Sequence, residues 1–465
     1  MRRSLVYGLC VVALVLVVLS PTAWAGSHHK RSGGTGGAAS RRAFVYPLKV
    51  SKSRRYLVDQ RGKPFLIAGD SPQSLIGDLT LKQASAYLTD RKKAGFNAIW
   101  VDLLCTTYTG CLPDATTVDG IAPFLTPGDL STPNPAYFAR VDAVVRLAAR
   151  NGIVVFLDPI ETGGWLDVLR KNGLAKDRAY GKFLGRRYKR FGNIVWSSGN
   201  DFQSWRDPSD DAAVLAVARG IHSTDPHQLQ TVELNYFVSG SLDDPRWRSL
   251  IRLDGAYTYY ATYAEVLKEY ERKHFMPVFL QEAGYEFEQN LSWISAGTPE
   301  TLRRQEYWSA LSGAAGQFYG NHYTWQFLYD WRKHLDTTGS RQFGYLVRLL
   351  ERLPWYRLVP DIHHHVVTSG YGTFDPGSNV LSSDYVTATV SRNGRLALAY
   401  LPTGGTVTVN MARFAGRVRV QWFDPTNGRF HGSGSHRPNR GVARLTAPKE
   451  NSAGSRDWLL VLTAA

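Results

Sequence analysis

Cysteine is scarce in this chain of 465 residues, which contains three: Cys10, Cys105 and Cys111. Cys10 lies inside an amino-terminal apolar run, so removal of that run leaves only Cys105 and Cys111, which are close together in the sequence. No histidine pair lies near them, and this disfavours a metal site. In a compartment that permits disulfides we therefore predict a Cys105–Cys111 bridge, with two free thiols as the alternative.

Several motifs that would indicate a reaction or a ligand are also absent. The sequence has no P-loop, no Gly-rich nucleotide turn after its first strand, no His-Glu-x-x-His helix and no serine nucleophile elbow. The consecutive histidines 363–365 point alternately on an extended chain, so they cannot ligate one metal together. We therefore expect neither a metal nor a cofactor.

Runs of like charge are missing, although the formal net charge is +16, from 55 Lys and Arg against 39 Asp and Glu. No five basic residues are consecutive, and this spread disfavours a nucleic-acid partner. An anionic cell envelope or simply a basic secreted protein remains compatible with the charge. The sequence does not indicate an oligomeric state.

Only one long apolar run is present, and it lies at the amino terminus. Arg2-Arg3 precede the apolar segment Leu5–Leu19, and Ala23–Ala25 supply the small residues that a signal peptidase reads. We predict a bacterial-type signal peptide over 1–25 and a secreted, extracellular protein, with an uncleaved anchor as the alternative. Residues 26–43 resemble a flexible Gly/Ser-rich linker. No other apolar stretch of 18 residues follows, so no membrane span is expected after cleavage.

The rest of the chain is globular, with 43% hydrophobic and 20% charged residues, which excludes long disorder. From residue 44 to 362, short apolar runs alternate with amphipathic segments, the pattern of a (β/α)8 barrel. A doubly wound open sheet is the alternative. The predicted strands are 65–68, 98–103, 153–158, 194–198, 229–234, 255–259, 278–281 and 316–319. The predicted helices are 81–93, 135–150, 209–222, 261–273, 299–311 and 341–353.

After Pro360 the pattern changes to a period of two with hairpin turns at Asn393-Gly394 and Asn427-Gly428. This predicts a separate antiparallel β-sandwich domain over 363–465. Its expected strands are 386–390, 396–400, 407–411, 418–423 and 458–462.

Carboxylates follow the predicted barrel strands, where this fold builds its active sites. They are Asp70, Asp102, Asp158, Glu161, Asp201, Glu233 and Glu282. Sugar-cleaving enzymes need two carboxylates that flank the glycosidic bond. An Asn-acid pair after strand four (Asn200-Asp201) and a glutamate that ends strand seven (Glu282) are the pattern of the large clan of retaining barrel glycosidases.

Within that clan, five segments of the sequence resemble motifs of the apiosidase-like family, glycoside hydrolase family 140 and its relatives. They are 65–71 (FLIAGDS), 94–98 (AGFNA), 199–201 (GND), 281–286 (QEAGYE) and 319–325 (YGNHYTW). The tail resembles that family's usual partner, a collagen-binding-like β-sandwich. Its motifs are 358–361 (LVPD), 399–405 (AYLPTGG) and 422–425 (WFDP).

The resemblance implies that Asp201 is the general acid/base and Glu282 the nucleophile of a glycoside hydrolase acting on a plant or microbial cell-wall polysaccharide. The resemblance also implies a role in substrate binding for six residues: Asp70, Asn97, Asn200, Tyr285, His322 and Trp325. Retention needs carboxyls about 5–5.5 Å apart and inversion about 6.5–9.5 Å, and Asp201 is a methylene shorter than the usual glutamate. The tryptophan that commonly follows the Gly-Asp-Thr/Ser motif of this family is replaced here by Pro72-Gln73. The resemblance therefore does not identify which sugar is recognised.

Structural interpretations compete with each assignment. Asp201 could cap a helix, and Glu282 could form an ion pair with an arginine. Asp70 could be a structural acid and Asn97 a loop cap, while Tyr285 and Trp325 could simply pack. The competing functional classes are a non-catalytic carbohydrate or matrix binder and an endo-acting glycanase. Predicted long loops over 106–133 and 161–174 could wall a pocket or border a groove.

Overall fold

The computed structural model describes residues 43–289 and 296–464, so the predicted signal peptide and almost all of the predicted linker lie outside the described residues. The barrel prediction is confirmed. Eight strands pair in parallel around a nearly closed sheet, in the order β5-β4-β3-β2-β1-β8-β7-β6. They are β1 (Ile67–Asp70), β2 (Ala98–Asp102), β3 (Val154–Asp158), β4 (Ile194–Phe202), β5 (Gln230–Leu234), β6 (Asp254–Thr258), β7 (Val278–Glu282) and β8 (Gly316–Tyr319).

The closure between β5 and β6 differs from the other strand pairs. A short strand, Val238–Gly240, pairs antiparallel with β6. The Arg252 N–H donates to the Gln230 carbonyl at 2.9 Å and joins the segment before β6 to β5. No α-helix lies between β5 and β6 in this described stretch, which besides that short strand contains the 3-10 turn Pro245–Trp247.

Seven helices of nine or more residues surround the barrel within the described residues. They are α1 (Leu81–Ala94), α2 (Pro135–Arg150), α3 (Thr162–Tyr188), α4 (Pro208–Thr224), α5 (Tyr263–Glu271), α6 (Pro299–Leu311) and α7 (Thr338–Arg352). Shorter helices cover Leu75–Asp78 and His322–Trp325. Six of the seven long helices coincide with helices predicted from the sequence. No helix of the described residues is long and apolar enough to cross a bilayer.

Helix α3 corrects the prediction of a loop over 161–174. The chain is helical from Thr162 to Tyr188, with a kink at Gly173, whose φ is 75°. Gly163 and Gly164 misled the prediction because glycine is a poor helix former. In the structure, a Cβ on Gly163 would lie 2.3 Å from the Tyr108 ring and one on Gly164 would lie 2.1 Å from Thr106 Oγ1. These glycines therefore allow the start of α3 to approach the loop after β2 closely.

Side-chain alternation along the strands separates the barrel interior from the helix layer. Val154 and Phe156 belong to the interior cluster, whereas Val155 and Leu157 pack in the cluster that includes the helices. A period of two places Asp158 on the interior side, at the carboxyl end of β3. The same alternation places Asp102 on the interior side, at the carboxyl end of β2. Parallel strands with both faces covered explain the continuous apolar runs in the sequence.

The antiparallel region predicted beyond the barrel is also confirmed. Its strands are β9 (Leu358–Pro360), β10 (Val367–Ser369), β11 (Thr387–Ser391), β12 (Leu396–Leu401), β13 (Thr406–Asn410), β14 (Val418–Asp424), β15 (Arg429–Arg437), β16 (Val442–Thr446) and β17 (Trp458–Ala464). They form a six-stranded sheet, β9-β11-β12-β17-β14-β15, and a three-stranded sheet, β10-β13-β16. Both predicted Asn-Gly turns connect hairpin strands.

A buried ion pair joins the barrel helices to the antiparallel region. Arg303 on α6 donates from Nε and Nη2 to the two carboxylate oxygens of Asp457, at 3.0 and 2.8 Å. The Tyr400 hydroxyl donates to the same carboxylate at 3.0 Å. Two parallel bonds to a carboxylate fix its orientation as well as its position.

Candidate active site

Strand β4 ends in a bulge that turns two side chains into the barrel mouth. Gly199, Asn200 and Asp201 have φ values of 126°, 68° and 55°, and the register with β5 shifts across them. A Cβ on Gly199 would lie 2.3 Å from the Glu233 carbonyl oxygen, so glycine is required there. Asparagine and aspartate tolerate the left-handed conformation better than most residues. The Gly-Asn-Asp sequence therefore suits a bulge that re-aims side chains beside a site.

Asp201 is held by hydroxyl donors and not by cations. The Tyr257 hydroxyl donates to Oδ1 at 2.7 Å, and the Tyr108 hydroxyl donates to Oδ2. Its backbone N–H donates to Glu233 Oε2 at 3.0 Å. Its carboxylate caps no helix, because Asp207 caps α4. Within the described residues Asp201 forms no ion pair.

Glu282 is buried at the end of β7 and also accepts from two tyrosines. The Tyr259 hydroxyl donates to Oε1 at 3.0 Å, and the Tyr285 hydroxyl donates to Oε2 at 2.9 Å. Tyr285 in turn accepts from Gln73 Nε2 at 3.2 Å. No arginine or lysine of the described chain pairs with Glu282, in contrast to the structural ion pair considered above.

Asp201 and Glu282 open into one cavity of about 220 Å³. A contact of 3.3 Å between the Tyr257 and Tyr259 hydroxyls links their two hydrogen-bond systems. The lining residues are Gln73, Tyr108, Asn200, Asp201, Tyr259, Glu282, Tyr285, Glu288 and Trp325. Among the described residues, the lining therefore contains three carboxylates and no lysine or arginine.

Burial in this cationless site favours protonated carboxyls. Loss of solvation raises the pKa of both Asp201 and Glu282. The negative charge of Asp201 further raises the pKa of Glu282, and together with that of Glu282 it raises the pKa of the buried Glu233. Several buried anions without a counter-ion are costly, so the group retains a proton near neutral pH.

Comparisons with known proteins identify the family. The model of the family described as "Apiosidase-like, catalytic domain" matches residues 51–357, about two thirds of the chain. The chain belongs to the apiosidase-like family. The model described as "Putative collagen-binding domain of a collagenase" matches residues 377–463 of this apiosidase-like protein. A search of curated protein sequences found no match.

Solved structures share the fold. A glycoside hydrolase family 5 protein from Bacteroides vulgatus superposes with a TM-score of 0.78 at 21% identity, covering 91% of this chain and 95% of its own. A structure described as a glycoside hydrolase gives 0.78 at 22% identity, with 91% and 99% coverage. With its apiosidase-like catalytic domain, the chain is a glycosidase, and its substrate is a carbohydrate.

Two residues predicted to bind substrate lie away from the cavity. Asn97 precedes β2, at the opposite end of the barrel, where its side chain accepts from Ala68 N–H at 2.9 Å and donates to the Leu66 carbonyl at 2.8 Å. Asp70 is fully buried and accepts from the Tyr87 hydroxyl at 2.5 Å and from Arg91 at 3.3 Å. Both side chains are fully engaged in holding β1, so the structure does not bring them to the mouth.

The other four predicted binding residues lie at or beside the cavity. Asn200 and Tyr285 line it, and Asn200 Nδ2 donates to Asp102 Oδ2 at 3.1 Å. Trp325 lines it too and donates from Nε1 to Glu288 Oε1 at 2.7 Å. His322 stands 3.5 Å from that same carboxylate oxygen.

Several residues of the site were not predicted from the sequence. Tyr257 and Tyr259 lie at the carboxyl end of β6 and share a face, so the strand-end rule that found the acids would also have found them. Tyr108 could not be found this way, because it lies in a 3-10 turn, Thr107–Thr109, within the loop closed by the disulfide. The Cys105–Cys111 disulfide itself is confirmed. Such a bridge is typical of extracellular proteins.

A second group of acids is buried beneath the site without access to the cavity. Asp102, Asp158 and Glu161 are each 0% exposed, and each has one carboxylate oxygen without a hydrogen-bond partner among the described residues. Burial raises the pKa of all three, to about 7 for Glu161, and repulsion from neighbouring carboxylates further raises the pKa of Asp102 and Asp158. These groups bind more protons in the folded than in the unfolded chain.

Stability is therefore expected to fall as pH rises from 5 to 8, and Asp158→Asn is expected to reduce that fall. Above the unfolded pKa, near 4, the raised folded pKa means that ionisation favours unfolding. An asparagine cannot ionise, and its amide can donate to a neighbouring orphan oxygen, a contact worth about 1–3 kcal/mol. Thermal unfolding of both proteins at pH 5, 6, 7 and 8 measures this.

The matched control is Asp129→Asn. Asp129 is hydrogen-bonded by Ser131 and Lys176, which lower its pKa to about 2. It is ionised in both the folded and the unfolded chain above pH 5, so its replacement should leave the slope unchanged. Parallel stability curves for the wild type and Asp158→Asn would contradict the assignment of unfavourable charge to the buried acids.

A larger cavity, of about 570 Å³, lies between α5 and the segments that lead into the antiparallel region. Its walls are mainly apolar, including Leu267, Ile362 and Phe374. Its buried acid, Glu265, is paired with Lys268 at 2.9 Å. It lacks two free carboxylates, so the smaller cavity at the barrel mouth is the candidate active site.

Proposed function

We propose that this protein is an exported, retaining exo-glycosidase that removes a neutral sugar from a plant or microbial cell-wall polysaccharide. Asp201 acts as general acid/base and Glu282 as nucleophile. The observation that carries the proposal is that these two carboxyls, from β4 and β7, share one cavity and, within the described part of the chain, accept hydrogen bonds only from hydroxyl donors.

Counting hydrogens indicates that the two carboxyls share one proton. Three contacts run in series from Asp201 Oδ1 through the hydroxyls of Tyr257 and Tyr259 to Glu282 Oε1, at 2.7, 3.3 and 3.0 Å. Two phenols supply hydrogens for only two contacts. One proton on either carboxyl completes the series. With the proton on Asp201, Glu282 is ionised, and this is the protonation state that a general acid and a nucleophile require.

The chemistry then proceeds in two displacements. Asp201 donates its proton to the glycosidic oxygen while a Glu282 oxygen forms a bond to the anomeric carbon, and the bond to the leaving group breaks. Asp201, now ionised, removes a proton from water, which attacks the anomeric carbon and releases Glu282. Tyr259 and Tyr285 hold the Glu282 carboxylate in a fixed orientation throughout.

The charge of the cavity supports a neutral sugar. Glu288 adds a third carboxylate to the lining, and no lysine or arginine that the structure describes lines it. A uronic acid would bring its carboxylate against these three groups without a cation to pair with. Trp325, whose indole is oriented by Glu288, offers a face on which a sugar ring can stack.

The cavity volume supports release of a terminal sugar over internal cleavage. At about 220 Å³ it is smaller than the pockets of about 300–1,000 Å³ that take drug-sized ligands. Retention of both carboxylates argues against a non-catalytic binder. The proposal that the protein is exported depends on the predicted signal peptide. The boundary between the barrel domain and the β-sandwich domain at 362/363 is also a prediction from the sequence.

A glycan panel tests the proposal. The mature protein should release a neutral monosaccharide from at least one plant or microbial wall glycan, and no uronic acid, as measured by chromatography of the products. Initial products followed by NMR should have the anomeric configuration of the substrate. Release of uronic acids alone, or of oligosaccharides without monosaccharide, would overturn the neutral-sugar or the exo assignment respectively.

A further inference from the structure

Five arginines lie on neighbouring strand ends and turns at one corner of the antiparallel region, and none of them lines the cavity described above. We call them the basic corner: Arg413, Arg417, Arg419, Arg437 and Arg440. All five are exposed. The register of β14 with β15 pairs Val418 with Arg437 and Arg419 with His436, which brings the start of β14 beside the end of β15.

Two hydrogen bonds bring the remaining arginines to the same place. Met411 N–H donates to the Gly441 carbonyl at 2.9 Å, and Asn439 Nδ2 donates to the Phe414 carbonyl at 3.3 Å. The turn that carries Arg413 is therefore tied to the loop that carries Arg440. Strand β15 is the last strand of its sheet, so its outer edge is uncovered in the described chain.

Nothing in the described chain neutralises this charge. None of the five arginines forms an ion pair with a described residue. From residue 411 to 446 the sequence contains a single acid, Asp424. Asp424 is buried at the far end of β14, where Thr426 and Ser452 hydrogen-bond its carboxylate. Like charges held together without partners cost stability, so such a cluster indicates a ligand that supplies the anions.

The side chains of the basic corner indicate what kind of anion. Guanidinium groups present paired donors that match phosphate oxygens, and arginine is favoured where phosphate is recognised. No exposed Phe, Tyr or Trp lies among the residues 411–420 and 435–441, so the corner has no platform for stacking sugar rings or bases. Binding there depends on charge, which suits a flexible polymer with repeated backbone phosphates.

We propose that the basic corner binds a phosphodiester-linked polyol polymer of the poly(glycerol phosphate) type, and so anchors the enzyme on a bacterial cell wall. The anchor and the active site differ in chemistry: the corner is cationic, whereas the cavity carries carboxylates. The proposal does not depend on the hydrolytic mechanism, and its test measures binding separately from turnover.

The test uses the full mature chain and immobilised poly(glycerol phosphate), with binding measured by biolayer interferometry at 50 and 300 mM NaCl. The variant is Arg413→Gln/Arg437→Gln/Arg440→Gln. We expect its affinity to fall at least about tenfold at 50 mM NaCl, and we expect wild-type affinity to fall steeply with salt, as counter-ion release requires. Glycosidase activity on a soluble substrate should be unchanged.

A charge-matched control separates the corner from general basicity. Lys82→Gln/Lys92→Gln/Lys93→Gln removes three exposed cations from α1 and should keep affinity within about twofold. Equal losses in both triple variants would overturn the proposal. Tighter wild-type binding to polygalacturonate or double-stranded DNA than to poly(glycerol phosphate) would overturn the choice of ligand. If the triple variant does not fold, Arg440→Gln alone, in an exposed loop, tests the same site.

Discussion

Glu282→Gln is expected to lower kcat by at least about 10³-fold while substrate binding stays close to that of the wild type. The amide is nearly the same size as the carboxylate and can still contact Tyr259 and Tyr285, but it cannot form the glycosyl ester. The interaction that is lost matures only in the transition state, so kcat falls and Kd changes little. Steady-state kinetics and calorimetric binding of the released sugar measure the two effects.

Glu288→Gln is the matched control, because it removes a carboxylate from the same cavity. Glu288 accepts a hydrogen bond from the Trp325 indole N–H at 2.7 Å. We expect it to raise KM and to leave kcat within about tenfold of the wild type, a smaller loss than removal of a chemical participant produces. A Glu282→Gln enzyme that retained kcat within about tenfold would remove Glu282 from the nucleophile role.

The barrel could be predicted from sequence because each parallel strand is a short apolar run buried on both faces. All eight predicted strands coincide with observed strands to within two residues at their starts, and the apolar periodicity also located α1, α2 and α6. Helix α3 escaped prediction because its first turn contains Gly163 and Gly164. Glycine is required at these two positions because Tyr108 and Thr106 approach them closely. That is a tertiary contact, and local helix propensity carries no information about it.

The candidate site was predictable only in part, for a related reason. The strand-end rule found Asp201 and Glu282, because the carboxyl ends of parallel strands meet at one mouth. The same rule also selected Asp70 as a substrate-binding residue. It could not show that the Asp70 carboxylate already accepts hydrogen bonds from Tyr87 and Arg91. Asn97 stood in a family-like motif, but its two hydrogen bonds fasten the start of β1.

The protonation of the site depends on partners that are distant in the sequence. Asp201 lies next to Tyr108 because the Cys105–Cys111 loop after β2 reaches across the mouth. A Cβ on Gly77 would lie 2.6 Å from both sulfur atoms, so the disulfide packs against the helix Leu75–Asp78. The conformation of a loop of this kind follows from its contacts, and sequence periodicity does not determine it.

Asp201→Ala is expected to lower kcat/KM on the natural glycan by about 10²–10⁴-fold, the usual worth of proton transfer from a positioned acid. The loss should shrink to less than about tenfold on an aryl glycoside of the same sugar with a 2,4-dinitrophenolate leaving group, because that group departs without a proton. Since kcat/KM reports the first displacement, the contrast between the two substrates isolates the acid role of Asp201.

The base role of Asp201 appears in the second displacement. In Asp201→Ala, hydrolysis of the glycosyl ester on Glu282 becomes slow, so kcat on the dinitrophenyl glycoside should fall although kcat/KM does not. Azide needs no base and fits the space left by the carboxylate, so it should restore kcat and yield a glycosyl azide with the configuration of the substrate. An azide of opposite configuration would show inversion, because direct displacement by azide inverts the anomeric carbon once, whereas passage through the Glu282 ester inverts it twice.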